Sequence, residues 1–180
     1  MTDSKRAFER AMRLAVVSGL RSTFGIALME AAYDRPNRKN WALAALGEMV
    51  VDKIPIAPSR ASLPLMLPRA AAGAYVAKQV MEREGIEDPW AAPMGGAVAA
   101  GVAVLAPRVR GLLASVLRIP GPILGLLEDY LALKVAADAL GLEMGDIQKI
   151  GEQSIEEVKG YVASVGSHEP SRQSVGAGSM

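Results

Sequence analysis

The chain has no cysteine, one histidine and few aromatic residues, 4% of its 180 residues. Without cysteine there is no disulfide framework, no thiolate nucleophile and no sulfur metal site. The single histidine, His168, lies in a polar tail, which leaves neither a Ser-His-Asp triad nor a histidine metal site to build. The formal net charge is +1, and no basic patch interleaved with aromatics occurs, so nothing points to nucleic acid. No Walker loop, dinucleotide fingerprint or zinc motif is present. A membrane enzyme acting on a phosphorylated lipid therefore ranks last among the readings, since no nucleophile or metal constellation is visible, and no cofactor or metal is implied.

What is abundant is small and apolar. Hydrophobic residues make up 51% of the chain, drawn mainly from Ala, Leu, Val and Met, with 18 glycines. Soluble cores gain much of their buried area from Phe, Tyr and Trp. Packing by Ala and Gly suits helices whose backbones approach closely, as in membrane bundles. Residues 14–29, 41–51, 65–77, 91–106 and 119–133 carry almost no charge around the helix circumference, and charges gather at ends and turns. A soluble bundle would instead alternate an apolar stripe with a charged face.

The expected fold is all-α: a small polytopic membrane bundle of four to five apolar helices over residues 1–142, an amphipathic extension at 143–165 and a disordered Ser/Gly-rich tail at 166–180. Helices are expected at 6–33, 41–54, 69–83, 93–106 and 122–141. Pro107 should break or kink the fourth run. Residues 55–68, with Pro55, Pro58, Pro64 and Pro68, read as a proline-broken apolar segment. Trp41 and Trp90 stand where interfacial anchors would be. The apolar run after the charged N-terminus continues past any plausible cleavage site, so no signal peptide is expected. Basic clusters at Arg6 to Arg13, Arg35 to Lys39 and Arg108 to Arg118 leave the orientation undecided.

The polar residues inside these runs are the candidate site. Glu48 and Asp52 are four apart and share a helix face, with Lys53 and Pro55 closing the element. Arg21 and Arg69 are isolated in apolar surroundings and are the expected partners. Glu128 and Asp129 form a second acidic pair, and Leu126-Leu127-Glu128 echoes Leu46-Gly47-Glu48, a hint of an internal repeat. Ionisable groups at membrane depth are expensive and are paired or line a water path. Small residues at helical spacing, Ser18, Ser22 and Gly25, then Gly73, then Gly121 and Gly125, are candidates for close helix packing.

Ser18-Gly19-Leu20-Arg21, Leu46-Gly47-Glu48 with Asp52-Lys53-Ile54-Pro55, Pro68-Arg69-Ala70-Ala71-Ala72-Gly73-Ala74 and Leu127-Glu128-Asp129 come in one order along the chain. In this the chain resembles the bacterial membrane proteins grouped as domain of unknown function 4126. The resemblance covers roughly residues 10–140, and Glu-x-x-x-Asp-Lys-x-Pro is its most specific part. It implies an inner-membrane multi-helix fold and no particular activity.

The leading expectation for function is a transporter- or channel-like protein, with an ion, a proton or a small polar substrate passing a centre built from Arg21, Glu48, Asp52, Lys53, Arg69, Glu128 and Asp129. The alternative is a non-transporting membrane scaffold or lipid-headgroup-binding protein in which these charges hold helices together. The expected partners are the lipid bilayer and a second copy of the chain, in a multi-pass inner-membrane setting.

Overall fold

The computed structural model describes residues 2–51 and 63–166. Within them the protein is all-α, with helices α1 (Asp3–Leu20), α2 (Phe24–Ala32), α3 (Arg38–Val51), α4 (Leu63–Arg83), α5 (Ala91–Leu117), α6 (Gly121–Leu140) and α7 (Met144–Gly166). Asp52, Lys53, Pro55, Pro58 and the tail from residue 167 on, including His168, lie outside the described residues.

The centre of the bundle is α4, packed against α5 and α1, with α6 closing on α1. Ala dominates this interior: Ala7, Ala11, Ala72, Ala77, Ala99, Ala132 and Ala136 are buried beside Leu14, Val76 and Met81. Small side chains let the backbones meet. A Cβ on Gly73 would run into the Gly95 carbonyl, and one on Gly19 would meet the Ala99 carbonyl at 2.6 Å. A helix crossing this tight is typical of small-residue interfaces in membranes.

The expected helix at 6–33 is two helices. Arg21 takes an extended conformation (φ −140°, ψ 110°), which ends α1, and the chain reverses into α2. Ser18 packs against Gly25 across this bend, so the two no longer form one stripe on a single helix. Pro64 and Pro68 are absorbed into the first turns of α4, and α5 runs on through Pro107. Pro64 is so close to the start of its helix that its missing N–H would have had no partner there. Pro68 and Pro107 each remove one internal bond that the neighbouring turns evidently spare. At α7, Asp146 accepts from the backbone N–H of Glu143 (3.1 Å), the returning half of a capping box.

Of the expected four to five spans, one is long and apolar enough by itself among the described residues: α5. Its 27 residues extend about 40 Å. Only 11% of its most apolar window is buried, so most of that window lies on the surface of the bundle. Leu105, Val109, Leu112, Val116 and Leu117 on α5 and Ile123, Leu126, Leu127 and Leu131 on α6 are all exposed. Together they give α5 and α6 a broad uncovered apolar surface.

Candidate functional site: a buried polar centre

The break at Arg21 places four sequence-distant charges together. Arg21 is 7% exposed and donates through Nε (3.0 Å) and a terminal nitrogen (2.7 Å) to Asp129 of α6. This pins the end of α1 to α6 with a charge-assisted contact.

Glu48 of α3 sits at the start of α2. One carboxylate oxygen accepts from the backbone N–H (2.9 Å) and hydroxyl (2.8 Å) of Ser22, and the other from the N–H (2.9 Å) and hydroxyl (2.6 Å) of Thr23. Thr23 is the N-cap of α2 and makes no side-chain cap bond of its own. The carboxylate of a different helix therefore satisfies donors at the positive end of the α2 dipole. Arg69, 3% exposed on α4, stands 3.5 Å from Glu48.

The expected partners are thus partly rearranged. Arg69 does meet Glu48, but Arg21 pairs with Asp129. Glu128 belongs to a separate contact, 3.5 Å from Arg110 of α5, whose guanidinium also donates to the Gly121 carbonyl (2.7 Å). Glu48 and Glu128 have different roles, a helix cap and an interhelical ion pair, so the echo between their segments is not matched in their contacts.

The small residues divide in the same way. Ser18, Gly25 and Gly73 lie at close backbone approaches. Ser22 is a donor to Glu48, a Cβ built on Gly125 would lie 3.0 Å from the Arg110 guanidinium, and nothing lies within 4 Å of one built on Gly121. Gly121 serves through its carbonyl and not as a packing residue.

A second polar cluster is absent from the sequence reading. Glu30, 2% exposed at the end of α2, accepts from Arg35 (3.4 Å) and from the Tyr75 hydroxyl (3.2 Å), and Arg35 also reaches Gln79 (2.5 Å). Beside it the Arg83 guanidinium covers the Tyr33 ring at 4.1 Å, and Arg10 pairs with Glu84 at 2.7 Å. Burial is the main cause that pushes the Tyr33 hydroxyl up, with the Glu84 charge in support, against the opposing pull of Arg83, Arg10 and Arg35. The available signal was an acid set flush with an apolar run, as at Glu48.

These contacts also fix which end of the bundle is which. Arg10, the Tyr33–Arg35 turn and the C-terminus of α4 meet at one end. The basic clusters at Arg6 to Arg13 and Arg35 to Lys39 therefore share an end, opposite the hairpin turn at Arg118. Among the described residues no group of three or more His, Asp or Glu is placed to hold a metal ion. The chain matches no known family model, no curated protein and no solved structure.

Proposed function

We propose that this protein is an integral membrane helix bundle acting as a non-transporting scaffold, its polar centre holding helices in place. The observation that carries this reading is the commitment of the described carboxylates. Glu48 accepts four bonds from the α2 terminus, and Asp129 holds Arg21. Carboxylates so committed are suited to fixing a fold, because releasing Glu48 alone would give up four hydrogen bonds at the start of α2. A transport site would need at least one of them to exchange partners.

The membrane setting is supported by α5, which is apolar, long and largely uncovered. Trp90 and Arg118 bracket it, both exposed, at a separation suited to the two headgroup layers. The bundle lies with the end bearing Arg10, Arg35, Lys78 and Arg83 in the cytoplasm, since short basic segments stay on that side. The test is extraction of membranes with alkaline carbonate. The protein stays in the pellet and is released by detergent; release by carbonate alone overturns the proposal. Reconstituted vesicles separate the scaffold from a transporter: the scaffold gives no saturable, Glu48-dependent uptake of protons, cations or small polar solutes.

A further inference from the structure

The two halves of α5 are held very differently. Its buried residues, Ala91, Gly95, Ala99 and Ala103, recur at every fourth position, and all precede Pro107. Along that stretch the backbone is clamped: a Cβ on Gly73 of α4 or on Gly19 of α1 would run into it. None of residues 104–117 is buried. The start of α6 is the steadier partner, with Leu124 buried and Asp129 bonded to Arg21. Between α6 and the second half of α5 lies an open space of about 310 Å³. Elements with few buried contacts are the ones that move most readily.

Pro107 stands at the boundary between the two halves. It has no N–H to return to the Ala103 carbonyl, so the helix lacks a bond where the packing stops. Arg108 folds back and donates to the Val104 carbonyl at 2.7 Å, in the same loosened turn. Three residues past the proline, the Arg110 side chain reaches across to α6. It donates to the Gly121 carbonyl at 2.7 Å and stands 3.5 Å from the Glu128 carboxylate. A Cβ built on Gly125 would lie 3.0 Å from the guanidinium, so the missing side chain makes room for it. Gly121, Gly125 and Glu128 follow one another at helical spacing along one face. The Arg110 side chain is 33% exposed, and a contact so open to solvent holds less firmly than a buried pair.

We propose that α5 carries a hinge at Pro107 and a latch at Arg110: the half-helix 108–117 tilts about Pro107, and the Arg110 strap holds it against α6. Its far end is tied to α6 by the turn at 118–120, so release bows the hairpin open without separating its helices. A hinge confines a large change to a few residues while the packed elements keep their shape. The polar centre around Arg21, Glu48 and Arg69 stays fixed, so the device goes beyond the scaffold reading.

The test measures distances between paired spin labels on the full chain in detergent, where the lack of native cysteine makes the labelling specific. Leu112→Cys with Leu126→Cys reports across the hairpin; both positions are exposed and neither lines the space between the helices. Leu67→Cys with Met94→Cys, also exposed, reports across α4 and the clamped half of α5. With Arg110 in place each pair gives a single distance. Arg110→Gln adds a second, longer distance in the hairpin pair and leaves the α4–α5 pair unchanged. Gly125→Leu, which fills the notch and expels the guanidinium, does the same. Pro107→Ala restores the missing bond, and combined with Arg110→Gln it returns the hairpin to a single distance. Circular dichroism confirms that each variant is folded. Two hairpin distances with Arg110 and Gly125 in place, or a single unchanged one in either latch variant, overturns the latch. A second distance that survives Pro107→Ala overturns the hinge. Each of these removes this inference alone, whereas an α4–α5 distance that changes as well shows the whole bundle loosening and removes the scaffold reading too.

Discussion

Arg21 and Asp129 lie 108 positions apart and meet at 2.7 Å, joining the point where α1 stops to the middle of α6. The guanidinium is nearly buried and the carboxylate mostly so, 8% and 21% exposed at the side chain. A pair of this kind gains less from mutual attraction than it would lose if one member stood alone.

Removing one partner should therefore be costly. Asp129→Asn is expected to lower stability by about 3 kcal/mol, read from thermal unfolding in detergent. Replacing both, Arg21→Met with Asp129→Leu, should recover most of that loss. If the double variant is as unstable as the sum of the singles, the pair is not the contact that matters.

Glu48 makes a different prediction because its partners are the hydroxyls and amides that open α2. Glu48→Ala should cost about 2 kcal/mol, the upper range for a lost helix cap. The damage should be local: hydrogen exchange should accelerate in α2 before α4 or α5. Uniform acceleration through the bundle would contradict the capping role.

Much of this centre was legible. Arg21, Glu48, Arg69 and Asp129 stand out as charges inside apolar runs, and the expense of placing them there is a local property. Their pairing was not legible, because it depends on the bend at Arg21. No proline or glycine marks that bend, and the acid that caps α2 is supplied by α3, 25 residues further on. Glu30 was missed although its setting resembles that of Glu48; its partner Tyr75 is on α4, 45 positions away, and Arg35, which also bonds it, reaches Gln79 of α4, 44 positions from Arg35. Pro107 misled in the other direction, since α5 continues through it. A residue's cost within a helix is set by what surrounds the lost bond, which the sequence does not display.

The glycines offer a paired comparison. Gly73→Val should prevent α4 and α5 from meeting, because the new Cβ overlaps the backbone of Gly95. Folded protein should fall sharply in a detergent size-exclusion assay. Gly101→Ala, where nothing lies within 4 Å, should be neutral or stabilising by about 0.5–1 kcal/mol. Equal effects from the two would show that α4–α5 contact is looser than described.

Tyr33 predicts an alkaline limb. Its hydroxyl is raised above its ordinary value of 10.0 chiefly by burial. A raised value means that the folded state holds the proton more tightly than the unfolded chain does. Its contribution is thus full below the unfolded value and is lost as pH climbs through about 10 and on through the folded one. Tyr33→Phe should lose stability less steeply than wild type between about pH 10 and 12. Parallel curves for the two proteins would contradict this.

The placement of α5 across a bilayer is the claim on which the rest stands, and the absence of native cysteine makes it directly measurable. Leu105→Cys, exposed near the middle of α5, and Lys78→Cys, exposed at the charged end of α4, are each treated with a water-soluble maleimide in native membranes. The account predicts rapid labelling at Lys78→Cys and none at Leu105→Cys until detergent is added. Labelling of Leu105→Cys as fast as Lys78→Cys without detergent would contradict it.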